Sequence, residues 1–126
     1  LAVQTFIDEW KAQLSATQME AGCPIVAAIL GRSEAPAAAQ AASDAVSEWQ
    51  TILSDRLARY GVDRDSSRSL AVLIVAAVEG AVILALATQS TAALDSVGRH
   101  LIEVIRLHLP AEHGGKVPPA RLERAT

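Results

Sequence analysis

Residues 70–86 read LAVLIVAAVEGAVILAL, an apolar run interrupted by one carboxylate, Glu79, beside Gly80. A helix of this sequence is apolar on every side, so it has to be covered all round, by lipid or by other helices. An acid near mid-depth of a bilayer costs on the order of a few kcal/mol unless it is paired or lines a cavity. The flanks argue the same way. Asp63, Arg64, Asp65 and Arg68 precede the run, and Thr88, Gln89 and Ser90 follow it without a basic cluster or an aromatic belt. The expected setting is therefore a core helix, with its own fold on one side and a second subunit on the other. A membrane partner is not expected.

With 126 residues the chain is one domain by length. It is 51% hydrophobic yet only 3% aromatic, and alanine is abundant. Small side chains favour close helix–helix packing, and the β-branched and aromatic signature of a sheet is missing. The formal net charge of −3 leaves no positive surface for a phosphate backbone. Cys23 is the lone cysteine and cannot close an internal disulfide, which fits a reducing cytoplasm. No leader-like segment opens the chain, and the start at Leu1, already inside a helical pattern, leads us to expect a further segment ahead of it.

The spacing predicts five helices and an all-α bundle. Leu1, Phe6, Ile7, Trp10 and Leu14 recur at helical intervals up to Thr17. Gly22 breaks that helix, and Cys23–Pro24 starts a short one over Ile25–Leu30 that Gly31 ends. Ser33–Pro36 starts a long helix running to Tyr60, with Gly61 as its C-terminal glycine. Its buried stripe is Ala42, Val46, Trp49, Leu53 and Leu57, and Asp55 and Arg59 have the order of a surface pair. Asp63 caps the fourth helix, which carries the apolar run to Thr88. Ser90–Thr91 caps the fifth, whose stripe is Leu94, Val97, Leu101, Val104 and His108, widened by Gly98, Ile102, Ile105 and Leu109. Residues 1–109 form the domain, and 110–126, with Gly114, Gly115, Pro118 and Pro119, read as a flexible tail.

Two successive apolar helices offer more surface than one small monomer covers. Ala76, Ala77, Gly80, Ala81 and Ala85 form a small-residue patch suited to close approach by another helix. Paired with their symmetry mates, the last two helices would build a four-helix homodimer interface, the reading preferred over an ordinary intramolecular core. Its candidate residues are Ala77, Ala81, Ala85, Leu94, Val97, Leu101 and Ile105.

Catalytic and metal chemistry find little support. The chain has no nucleotide-binding glycine loop, no G-x-S-x-G and no nucleophile–base constellation, so an enzyme is not expected. His100 and His108 are too far apart for an i, i+4 metal pair, and His108, Glu112 and His113 straddle Pro110, so neither metal nor other cofactor is expected.

Three segments taken in order carry a resemblance: GCPIVAAIL (Gly22–Leu30), RLARYG (Arg56–Gly61) and AAVEGAVILALATQSTAALDSVGRHL (Ala76–Leu101). Together they resemble the C-terminal domain of TetR-family transcriptional regulators, most closely the LmrA/YxaF-like branch. The resemblance implies a cytoplasmic one-component repressor whose C-terminal domain dimerises and binds a small hydrophobic or amphipathic effector. An N-terminal helix-turn-helix would grip the operator; that part is absent from this chain, so operator DNA would be a partner only through it. The alternative is a stand-alone dimeric helical carrier of a hydrophobic small molecule.

The resemblance also implies a pocket among the first four helices. Trp10 and Trp49 are the only tryptophans, and each lies on the inward stripe of its helix, suited to a pocket wall or to plain core packing. Glu79 either meets a cationic or hydroxylated ligand, or pairs internally with Arg56, Arg59 or the start of the short helix. Cys23 stands at a helix N-terminus, where the dipole lowers a thiol pKa, or else is a small buried hydrophobe. Phe6, Leu53 and Val75 complete the candidate ligand-binding set with Trp10, Cys23, Trp49 and Glu79.

Overall fold

The computed structural model describes residues 2–20 and 22–110. Within them the chain forms α1 (Ala2–Ala16), α2 (Pro24–Leu30), α3 (Pro36–Arg59), α4 (Arg64–Thr88) and α5 (Ala92–Leu107), with no strand among the described residues. The flexible tail expected beyond Pro110, with its Glu112 and His113, lies outside the described residues, as does Leu1.

Local chemistry accounts for the boundaries. Pro24 and Pro36 occupy first-turn positions of α2 and α3, where a missing N–H costs nothing. Asp63 caps α4, its carboxylate accepting the Ser66 backbone N–H at 2.9 Å, and this bond holds the Asp63 carboxyl below its ordinary value. At the end of α4, Gln89 takes a left-handed conformation and its side chain donates to the Leu86 and Met19 carbonyls at 2.7 and 3.2 Å. The Ser90 hydroxyl accepts the Ala92 N–H at the start of α5. Asp55 pairs across the turn with Arg64 at 3.3 Å rather than with Arg59, because the α3–α4 turn brings Arg64 back beside it.

That turn depends on Gly61. Its φ of +105° suits glycine alone, and a Cβ built there would stand 2.5 Å from the Pro110 ring. The turn thus also receives the end of α5. Gly61→Ala is expected to cost about 1–3 kcal/mol from backbone strain and the forced shift of Pro110. Urea unfolding monitored by circular dichroism measures it, and an unchanged midpoint would refute it.

Packing is organised around α4. It lies against α3 on one side and α5 on another, while α1 packs on α5 and α2 on α3. The inward face of α4 is Leu70, Ala71, Ile74, Val78, Ala81, Val82 and Ala85, at helical intervals, all buried. The Ser67 hydroxyl, fully buried above this stripe, is satisfied by the Val62 carbonyl. Ile7 and Leu14 of α1 and Leu94 of α5 are fully enclosed, and Ile7 rests on Gly98. Lys11 and Asp95 bridge α1 to α5 at 2.7 Å on the half-exposed edge of this contact.

Most of the residues expected at the interface lie inside the single chain. Ala81, Ala85, Leu94, Leu101 and Ile105 are buried within the single chain, against α1, α3 and the facing surfaces of α4 and α5. Ala77 and Val97 are half-buried at the margin of the same core. Their phase explains it: positions 81 and 85 continue the stripe 70–74–78, and 94, 98, 101 and 105 form the inward stripe of α5. His108, expected on that stripe, is exposed, and its Nδ1 donates locally to the Val104 carbonyl. The face of α4 left open carries Val72 (51% exposed), Leu73 (41%), Ile83 (57%) and Leu84 (53%). Ala76 and Ala87 are exposed beside them, and a Cβ at Gly80 would meet nothing within 4 Å. The helix is thus covered on one side only, not all round.

Candidate functional site

Between α1 and α3, over α4, lies a cavity of about 410 Å³. Each helix contributes one stripe at intervals of three and four. From α1 come Val3, Phe6, Trp10 and Gln13, with Glu9; from α3 come Trp49, Ile52, Leu53 and Arg56; from α4 come Ile74, Val75, Val78 and Glu79. The cavity forms because α1 packs chiefly on α5 and α3 on α4, leaving the two outer helices apart. This also explains why Val46, Trp49 and Leu53 are only half-buried although they sit on the inward stripe of α3.

The volume and the apolar lining with a few polar groups are those of a small-molecule site. Glu9, Gln13 and Arg56 are exposed and stand at its edge, whereas Glu79 is half-buried on α4. Burial pushes the Glu79 carboxyl above its ordinary value, and a hydrogen bond from the Cys23 thiol opposes that only in part. None of the ion pairs formed among the described residues involves Glu79 or Arg56. Of the internal partners considered for this acid, the start of the short helix provides the contact and the arginines do not.

Six of the expected pocket residues, Phe6, Trp10, Trp49, Leu53, Val75 and Glu79, meet at the cavity. Cys23 does not line it; the thiol is buried behind Glu79. Of the two readings of Cys23, burial supports the small buried hydrophobe. Burial raises the thiol pKa, outweighing the Val26 and Ile25 backbone N–H groups that pull the other way, and the neighbouring Glu79 raises it further. A buried, protonated thiol is a poor redox sensor.

Sequence reasoning missed Glu9, Gln13 and Arg56. Arg56 follows Trp49 by seven residues and Gln13 follows Phe6 by seven, so extending each aromatic stripe by one turn would have found both. His100 meets Glu103 at 2.9 Å on the surface of α5. Among the described residues no group of three or more potential ligands gathers to hold a metal ion.

Comparison with known proteins sets this geometry in a family. Residues 1–100 match the family described as transcriptional regulator LmrA/YxaF-like, C-terminal domain. Two sequences of Mycobacterium tuberculosis, from strains CDC 1551 / Oshkosh and ATCC 25618 / H37Rv, are 31% identical over 115 residues and are both named uncharacterized HTH-type transcriptional regulators. The match covers 86% of this chain and 59% of each relative, so the chain spans little more than half the length of the curated relatives it matches. No solved structure matches significantly. A helical bundle of this order, with its cavity over the apolar helix, belongs to the LmrA/YxaF-like branch of the TetR-family transcriptional regulators and is their C-terminal domain.

Proposed function

We propose that the chain is the effector-sensing and dimerisation part of a cytoplasmic transcriptional repressor, without enzymatic activity of its own. A small molecule enters the cavity between α1 and α3 and, by favouring one spacing of the paired subunits, lowers operator binding by an N-terminal helix-turn-helix. Such coupling requires only that the ligand bind the two arrangements unequally. The observation that carries the reading is the convergence of the aromatic side chains and the lone apolar-helix acid on one cavity. In a chain that is 3% aromatic, Phe6, Trp10 and Trp49 all line it.

The same convergence supplies the test. Both tryptophans of the chain line the cavity, so intrinsic tryptophan fluorescence reports on it without a label. Compounds that raise the melting temperature of the domain are expected to shift or quench that emission. Saturation at a hundred times Kd should add about 2.7 kcal/mol of stability. Trp49→Ala should weaken the same compounds at least tenfold. Stabilising compounds that leave the emission untouched, or bind the variant equally well, would place the effector elsewhere.

A further inference from the structure

Resting on the reading of the cavity as an effector site, we propose that the ligand class is a flat aromatic cation, its rings held against the indoles of Trp10 and Trp49 and its positive group directed to Glu79. The argument starts from what Glu79 lacks. A carboxylate offers about four acceptor positions, and the partner it has here is a thiol, which is a weak donor. Among the described residues no ion pair reaches it. A neutral apolar ligand filling the cavity strips water from this acid and returns nothing, while a cation or a strong N–H donor replaces the lost hydration. An anion meets Glu79 inside and Glu9 at the edge.

The walls agree with this choice. Indole faces are the best cation–π partners among side chains, and the attraction grows when water is excluded. The titratable and charged groups around Glu79 are few. Cys23, ahead of α2, touches it and is held protonated by burial. Glu9 on α1 and Arg56 on α3 share the lining from exposed positions, where water screens them. The one positive residue of the lining is thus outside, and the half-buried acid has the interior to itself.

The test uses two probes of the same shape: 9-aminoacridine, a cation at mildly alkaline pH, and acridine, neutral there. Tryptophan quenching and calorimetry give both affinities on the unmodified chain. The expected result is roughly tenfold or tighter binding of the cation, the gain of about one charge-assisted contact. Glu79→Gln should remove that preference and leave acridine binding as it was, which also shows that the variant is folded. Because burial raises the Glu79 carboxyl, the cation should begin to lose affinity at a higher pH than an ordinary carboxylate would dictate, with acid lowering affinity. Equal affinities for the two probes, or a cation preference that survives Glu79→Gln, would overturn the cation assignment while leaving the effector site standing. If neither probe binds, the aromatic-cation assignment falls, and the effector reading is judged separately, by the tryptophan response to compounds that stabilise the domain.

Discussion

An Ile83→Glu/Leu84→Glu variant should fold normally and elute as a monomer, where the unmodified chain is expected to elute as a dimer. The expectation follows from the uncovered face of α4. Val72, Leu73, Ile83 and Leu84 stand out from it, spaced along more than three helical turns. Between them Ala76 and Gly80 make a shallow trough, and at Gly80 even an added Cβ would find open space. A helix of a second copy can approach closely there, and Leu107 extends the exposed apolar surface onto α5. Each aliphatic side chain fully buried contributes roughly 1.5–3 kcal/mol, and a two-fold axis counts every one twice. Each is already about half covered in the monomer, so association gains about half of that, a sum comparable with the roughly 4–15 kcal/mol lost when two bodies associate. In the folded monomer positions 83 and 84 are exposed, so glutamates there leave the core intact. In the dimer they bury unpaired charge on both subunits, at several kcal/mol each. Size-exclusion chromatography with light scattering, beside circular dichroism, decides it. A variant that remains dimeric would move the interface off this face.

The ends of the helices were more legible in the sequence than the faces of α4. Helix boundaries were legible because Pro24, Pro36, Gly31 and Asp63 act through local chemistry that no tertiary contact overrides. The phase of α4 was not, because a helix apolar all round gives no contrast between its faces. Ala76 and Gly80 lie outside while Ala81 and Ala85 lie inside, and nothing in the residue types separates them. For α5 the stripe was legible only in part: Leu94 and Leu101 lie inside, Gly98 and Ile105 come from what was read as its widening, Val97 and Val104 sit at the margin, and His108 lies outside. The pocket was more legible, since Phe6, Trp10, Trp49 and Glu79 are conspicuous against an aliphatic background. Arg56, Glu9 and Gln13 look like ordinary solvated residues. They become a cavity edge only through the divergence of α1 from α3, a tertiary event with no local signature. Asp55 makes the same point in small: Arg59 and Arg64 are both within reach along the chain, and the geometry of the turn chose Arg64.

Gly98→Leu should strongly destabilise the domain by forcing α1 away from α5. Gly98 is buried where the two helices cross, and a Cβ placed on it would stand 3.1 Å from Ile7 Cγ1, with Cδ1 and Cγ2 at 3.6 and 3.7 Å. Ile7 is itself wholly enclosed, so it has nowhere to retreat. Alanine at 98 sets two effects against each other. It gains about 1 kcal/mol of helix propensity over glycine, and it requires Ile7 to yield by a few tenths of an ångström. The net change should be small. Leucine adds three further carbons to a closed space, and overpacking of this kind costs roughly 1–3 kcal/mol or more. Because α1 is also one wall of the cavity, ligand-induced stabilisation should vanish with it. The two residues are in direct contact, so their substitutions should couple strongly. Ile7→Ala alone leaves a void and costs about 2–5 kcal/mol, yet combined with Gly98→Leu it should recover much of the lost stability, the new side chain filling the space the isoleucine left. Chemical denaturation of the four proteins in that cycle measures the coupling directly. If the two losses simply add, the α1–α5 crossing does not rest on this contact.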